Sequence, residues 1–234
     1  DQEIMWCNDA FMQLAGASDS LFEVSLGEIF PDLSTDWLTE GKSECPEEAV
    51  RDDCRYRVYG DFIRSQDDSG GYLAAMLYFI DVTELLNVRD EYELSRPVVS
   101  IILVDNYDEL TSNLPDKSIS NLSAQLDDAI TGWAADSTGI LRRLERNRYL
   151  FLFEQRELPH YIDTKFSILD TVRDITNDFG TPATLSIGIG KDGANLQESY
   201  DFASLCIEMS LSRGGDQAVV KDRYNFSFYG GTEK

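Results

Sequence analysis

Residues 142–154 read RRLERNRYLFLFE. Four arginines crowd a short polar turn, and the turn feeds an apolar run, Tyr149-Leu150-Phe151-Leu152-Phe153. A charged turn between two apolar runs, here 139–141 and 149–153, is a hairpin signal. The tip of such a hairpin can present several guanidiniums to one anion, and arginine is the side chain suited to bidentate phosphate contacts. The same residues also describe a solvated turn whose arginines pair with nearby carboxylates, as most charged turns do. Both readings stay open on this stretch alone. Successive hairpin residues point to opposite faces, so not every arginine need face one cleft.

Around that hairpin the chain is acidic. Its 234 residues carry 43 Asp and Glu against 20 Lys and Arg, a net charge of −23. Such a field repels nucleic acid and anionic lipid, so no nucleic-acid partner is expected. An anionic ligand must be small and held by a local cluster. Hydrophobic residues make up 42% of the chain, which is enough for a packed core in one large domain or two ordinary ones. The charge is uneven: residues 1–89 hold 19 acids and 6 bases, residues 96–234 hold 21 and 14. That shift places a boundary near residue 95. The cysteines, Cys7, Cys45, Cys54 and Cys206, form no CxxC pair, and His160 is the single histidine. No structural metal site is expected, and reduced thiols fit better than a disulfide framework. No apolar run reaches membrane-spanning length. The chain starts within what reads as a strand and is expected to be a fragment, with room for an anchor upstream.

In order, residues 3–7 (EIMWC) read as a short strand. Asn8 or Asp9 caps a helix lined by Phe11, Leu14 and Ala15. Ser25–Phe30 reads as a second helix closed by Pro31. Residues 55–59 alternate as a strand that 62–64 extend, 67–71 form a turn, and Tyr72–Ile80 is a long strand. Leu85–Leu94 reads as a helix stopped by Pro97, with Leu85, Val88 and Tyr92 on one face. Such a helix is either a relay or an inert spacer. Val98–Val104 reads as a strand buried on both faces. Ile119, Leu122, Leu126, Ile130 and Trp133 mark an amphipathic helix. Lys165–Phe179 reads as a helix with Phe166, Leu169, Val172 and Ile175 inward. Ala183–Gly190 is a strand whose glycines permit close approach. Glu198–Ser212 is a helix packing through Phe202, Leu205, Cys206 and Met209. Residues 213–217 (RGGDQ) cap it, and Ala218–Val220 is a strand. The predicted fold class is α+β: an antiparallel-sheet domain followed by a β-α-β-β-α-β domain with additions.

The residues IMWCNDAF (4–11) and YFIDVTEL (78–85) resemble a PAS domain, which commonly closes with a D-[IV]-T-E box before an exit helix. The resemblance implies an antiparallel sheet with helices over one face, enclosing a sensory pocket. The second half resembles a GGDEF domain, the palm of nucleotide cyclases, with a decayed signature. Leu103-Val104-Asp105-Asn106-Tyr107-Asp108 stands where that family has Asp-x-Asp-x-Phe-Lys. Glu145-Arg146-Asn147-Arg148-Tyr149 stands where it has Gly-Gly-Asp/Glu-Glu-Phe. Two of the family's metal ligands are thus replaced, by Leu103 and Asn147, and leucine offers no oxygen to Mg²⁺. Diguanylate cyclase activity is not expected.

KFSILDTVRDI (165–175), TLSIGIG (184–190), SLSRGGDQAVVK (210–221) and FSFYGG (226–231) narrow the resemblance to the GdpP/YybT-type cyclic-di-AMP phosphodiesterases. It implies residues 1–84 as the PAS-like domain, 85–96 as a linker helix and 97–234 as a degenerate GGDEF domain. It implies a full-length parent anchored in the cell membrane, with this region on the cytoplasmic side. A C-terminal DHH-type module, using Mn²⁺ and absent from this chain, would carry catalysis. The resemblance also admits haem in the PAS domain, though residues 1–84 hold no histidine, which leaves Cys7, Cys54, Met76 or a tyrosine to ligate iron; an apolar core is the plainer reading. A homodimer and a small-molecule or nucleotide ligand are expected. The expected function is regulatory; the alternatives are slow ATP or nucleotide hydrolysis in the GGDEF half, or a structural dimerisation spacer. No catalytic residue is assigned. The nucleotide- or anion-binding candidates are Asp105, Asn106, Arg143, Arg146, Asn147 and Arg148, with Glu145 and Asp105 as internal competitors for the arginines.

Overall fold

Residues 97–104 (PVVSIILV) are apolar at nearly every position, and both faces of this stretch are buried as strand β4 (Pro97–Val104). It lies inside a six-stranded sheet of order β5-β6-β4-β7-β8-β9, in the computed structural model, which describes residues 2–64 and 72–230. The chain divides into two compact units, Asp1–Asp90 and Glu91–Lys234.

In the first unit, Asn8 accepts a hydrogen bond from Phe11 N and starts α1 (Asp9–Leu14). Helices α2 (Leu26–Ile29) and α3 (Asp36–Thr39) follow, then a sheet β1-β2-β3 made of Ala49–Arg51, Cys54–Arg64 and Tyr72–Asp81. Alternation along β2 sends Tyr56, Val58 and Phe62 into a core with Phe30, Trp37 and Leu38. On β3, Leu77 and Phe79 join that core, whereas Met76, Tyr78 and Ile80 are exposed. Arg51 reaches under the helices and donates to Ala15 O and Ile29 O, each at 2.9 Å, so one guanidinium serves the C-terminal carbonyls of α1 and α2. The Asp81-Val82-Thr83-Glu84 corner is a hydrogen-bonded turn: Asp81 accepts from Thr83 N and Oγ1, and Thr83 Oγ1 accepts from Arg55 N. These bonds from Thr83 hold the Asp81 carboxyl below its ordinary pKa. Helix α4 (Thr83–Ser95) leaves this corner with Leu86 buried and Asp90 paired to Arg55 at 2.6 Å.

In the second unit β4 pairs antiparallel with β6 (Arg148–Glu154) on one side and β7 (Leu185–Gly190) on the other. Strand β5 (Ile140–Arg143) completes the hairpin with β6. With α5 (Tyr107–Thr111), α6 (Asp116–Ala134), α7 (Leu158–Asp163) and α8 (Ile168–Arg173), the order β-α-β-β-α-β is present. One core joins α6, α7 and α8 to Val98, Ile102, Tyr149, Phe151 and Phe153. The opposite face carries α9 (Leu196–Ser212), the crossover to β8 (Gln217–Lys221), which runs parallel to β7 and then pairs with β9 (Phe226–Gly230).

Three expectations are corrected. Residues 3–7 form no strand; only Glu3 bridges, to Ser25. The helix expected over 165–179 is limited to α8, because Lys165 and Phe166 take left-handed φ and Asn177 closes a turn, accepting from Phe179 N and Thr181 N. Helix α9 buries Ser199, Ala203, Cys206, Ile207 and Ser210, while Leu205 is exposed. The cause is β7: a Cβ on Gly188 would lie 2.2 Å from Ala203 O, so the helix rests directly on strand backbone with Ser199, Ala203 and Ile207 against it. Short elements α3, β1 and α7 arise in stretches without a clear period. The expected turn at 67–71 and Gly231 lie outside the described residues.

Candidate functional site

The end of β4 and the turn of the β5–β6 hairpin lie side by side because Leu103 pairs with Arg148 and Val104 N donates to Asn147 O at 2.9 Å. Leu144 N and Glu145 N both donate to Arg148 O, closing a tight turn over 144–147. Beside it, Tyr107, Asp108, Glu145, Arg146 and Asn147 line an open groove of about 470 Å³.

The structure does not gather the arginines of this hairpin at one point. Arg146 lies in the groove, and among the described residues its side chain has no ion-pair partner. Arg143 turns onto its own hairpin, donating through Nε to Glu145 O at 3.2 Å and through Nη2 to Arg146 O. Its guanidinium also lies 3.7 Å from Asp127 and 5.5 Å over the Tyr149 ring. Arg148 points to the α9 face, where Nη2 meets Tyr200 Oη at 3.4 Å and Nε is buried without a partner. Asn147 donates weakly to Val104 O at 3.5 Å. Asn106 is used up in the fold: its Oδ1 accepts from Thr184 N and its Nδ2 donates to Pro182 O. The physical reason for the dispersal is alternation across the strand pair together with the open carbonyls of a four-residue turn, which a guanidinium can cap.

Asp105 faces away from the groove. Its Oδ2 accepts from Asp216 N at 2.9 Å, and Asp216 in turn holds Arg173 Nε at 2.6 Å. Burial pushes the Asp105 carboxyl above the usual carboxylate range, against that hydrogen bond. Gly215, at φ +74°, sits so close that a Cβ there would lie 2.6 Å from Asp105 Oδ2. The RGGDQ stretch therefore has a task that cap chemistry alone did not reveal. It anchors the end of β4 through Asp216, and the partner, Arg173, had no signal in the sequence beyond a basic residue late in a helix. Deeper in, Tyr149 donates to Asp127 Oδ1 at 3.0 Å, and burial followed by this bond raises its hydroxyl to about 12.

The residues present do not fit the two-metal site of a nucleotide cyclase. Leu103 packs with Ile101 and Leu150 beside α9, Asn147 is an amide, and Asp105 is committed to Asp216. No group of three or more His, Cys, Asp or Glu among the described residues is placed to hold a metal ion. The groove itself carries two carboxylates, Asp108 and Glu145, against the single guanidinium of Arg146. In the first unit, Met76 is turned outward, Cys7 and Cys54 are half-buried, and the rings of Phe11, Phe30, Phe79 and Tyr56 meet within 5.0–6.1 Å at the core. Residues 1–84 hold no histidine that could ligate haem iron.

Residues 102–228 match the profile of the family described as cyclic-di-AMP phosphodiesterase GdpP-like, GGDEF domain. The chain is 36% identical over 157 residues to the cyclic-di-AMP phosphodiesterase GdpP of Bacillus subtilis (strain 168), covering 67% of this chain and 24% of that protein. It is 33% identical, with the same coverage, to the cyclic-di-AMP phosphodiesterase PdeA of Listeria monocytogenes serotype 1/2a. It thus spans about a quarter of the length of these curated relatives. Among solved structures, the FimX GGDEF domain of Pseudomonas aeruginosa is 19% identical with a TM-score of 0.47, covering 59% of this chain and 92% of that one. No helix among the described residues is long and apolar enough to cross a membrane. The motifs at 103–108 and 145–149, the sheet that sets them side by side and the profile match over 102–228 agree: the chain belongs to the GdpP-like cyclic-di-AMP phosphodiesterase family and carries its GGDEF domain.

Proposed function

We propose that this chain is the regulatory region of a cyclic-di-AMP phosphodiesterase and has no diguanylate cyclase activity of its own. The observation that carries the reading is the pair Leu103 and Asn147 at the tip of β4 and its neighbouring turn. A cyclase needs hard oxygen donors there to hold the ions that bridge a triphosphate, and neither side chain is a carboxylate. In this reading residues 1–90 are a PAS-like sensory unit, supported by the three-stranded antiparallel sheet and the Asp81–Thr83 corner before α4. The second unit relays the signal to a DHH-type, Mn²⁺-dependent module elsewhere in a membrane-anchored parent, with both units on the cytoplasmic side. The groove at Arg146 and Asn147 takes a nucleotide phosphate weakly, because Asp108 and Glu145 oppose it.

The test is direct. Purified chain is incubated with GTP and Mg²⁺ or Mn²⁺, and separately with cyclic-di-AMP and Mn²⁺, and products are separated chromatographically. The expected result is no cyclic dinucleotide formed and none cleaved. In the full-length parent, Asp216→Ala should change the rate of cyclic-di-AMP hydrolysis without abolishing it. Turnover by the isolated chain, or a parent indifferent to every substitution in this region, would overturn the reading.

A further inference from the structure

The last turn of α4 runs into β4 beside the start of α9, and a cavity of about 280 Å³ lies between them, within the second unit. Tyr92 and Pro97 wall one side, and Leu196 and the bare backbone of Gly193 wall the other. Ser199 lines it from within the core. It is 4% exposed, and its hydroxyl takes no hydrogen bond among the described residues. A buried hydroxyl left without a partner is costly, so this one points to an occupant. Its Oγ lies against Gly193, where a Cβ would come within 2.6 Å of it, so a side chain at 193 would close the approach. The other polar groups here are donors. Asn195 Oδ1 accepts from Glu198 N at 3.0 Å, which leaves its Nδ2 without a partner. Leu196 N stands in the first turn of a long helix and has no intrahelical acceptor. Arg96 is the only charged residue of the lining among the described residues. Asp192 Oδ1 at 3.0 Å and Gly193 O at 3.2 Å hold its two terminal nitrogens, which fixes the guanidinium plane and leaves Nε free. The neighbouring carboxylates are committed outside the cavity: Asp192 and Glu93 pair with Arg96, and Glu198 accepts from Ala194 N.

We propose that this cavity binds a small molecule with an oxyanion head, a carboxylate or a phosphate, joined to an apolar ring. Arg96 Nε, Asn195 Nδ2, Leu196 N and Ser199 Oγ donate to the head, and the ring lies against Tyr92 and Pro97. The start of α9 adds its partial positive charge. An excess of free donors over acceptors selects an anion rather than a cation or an amine. The site shares no residue with the groove at Arg146. Its two walls are separate stretches of chain, so an occupant ties residues 92–97, the way into β4, to residues 193–199, the way into α9.

Phenyl phosphate and benzoate are the probes, with phenol as the neutral control. Titrated into isotope-labelled chain and followed by amide NMR, at least one of the two anions should shift Gly193, Asn195, Leu196 and Ser199 saturably, and phenol should not. The tighter anion tells a phosphate site from a carboxylate site. Ser199→Ala should weaken binding about tenfold, the loss of one hydrogen bond to a charged acceptor. It removes a single oxygen, and a melting curve checks that the fold is kept. Tyr92→Ala, at a position 63% exposed, should weaken binding without touching the core. Arg146→Ala should leave binding at this cavity unchanged. No saturable shift with either anion at millimolar concentration, equal binding of phenol, shifts confined to the Arg146 groove, or an affinity unmoved by both Ser199→Ala and Tyr92→Ala would overturn the proposal.

Discussion

Arg143→Ala and Arg146→Ala should separate two tasks that one turn divides between its arginines. The Arg143 guanidinium donates to two carbonyls of its own hairpin, lies 3.7 Å from Asp127 and covers the Tyr149 ring. A hydrogen bond from a charged donor contributes about 1.5–3 kcal/mol. The side chain is 36% exposed, so the lower end applies. The ion pair adds about 0–1 kcal/mol and the ring contact about 0.5 kcal/mol. Freeing a long side chain returns about 1–2 kcal/mol of rotamer entropy. With two such bonds at the lower end, the net loss for Arg143→Ala is then about 1.5–3.5 kcal/mol, or roughly 5–12 °C in the melting of the second unit. Arg146→Ala removes no internal partner and should stay within about 0.5 kcal/mol. Differential scanning calorimetry reads the first effect. Calorimetric titration of ATP, with and without Mg²⁺, reads the second: binding is expected in the millimolar range and lost in Arg146→Ala alone. Equal melting temperatures for the two variants, or nucleotide binding that depends on Arg143 and ignores Arg146, would refute the assignment. Tight binding that requires Mg²⁺ would refute the reading of Leu103 and Asn147 as well.

Three further outcomes are expected. Gly188→Ala drives a Cβ into Ala203 O and should destabilise the second unit by about 2–3 kcal/mol in urea titrations, because backbone cannot yield as a side chain can. Asp105 keeps its proton more readily folded than unfolded, so between the unfolded and the raised folded pKa the folded state binds more protons, and stability falls as pH rises through that window. Asp105→Asn should therefore stabilise the protein at neutral pH and flatten its pH dependence above the unfolded carboxyl pKa; acid-to-neutral melting curves check both. Arg51→Ala removes two charge-assisted bonds from the ends of α1 and α2 and should cost about 2–3 kcal/mol in the first unit, measured by the same curves.

Strands and long helices were legible because their signal is local. The unbroken apolar run of β4, the alternation of β6 and the three- and four-residue steps of α6 depend only on their own residues. The buried side of α9 was not legible: Phe202 and Leu205 have the right spacing, yet Gly188 and Gly190 in another element decide that the side with Ser199, Ala203 and Ile207 faces the sheet. The start of the helix expected from residue 165 was hidden too, since left-handed Lys165 and Phe166 go with the burial of Phe166, not with its identity. At the hairpin, alternation said only that not every arginine need face one cleft. It could not say that Arg143 would find carbonyls within its own turn, because a long side chain chooses its acceptor only once the backbone is built. Asp105 was singled out for the groove and serves the RGGDQ loop instead, a contact across 111 residues of chain.

The position of β4 has a consequence for how the second unit is made. Its two partners arrive late: residues 148–154 on one edge and 185–190 on the other. During synthesis an apolar strand of eight residues thus waits with both rows of amides open until β6 is made, and with one row open while more than eighty further residues are added. No local hairpin can shelter it, for the nearest sequence neighbours are helices. Folding of this unit is governed by long loop closures and is slow, and the interval before β7 docks is when the nascent chain is most open to pairing with a neighbour or a chaperone.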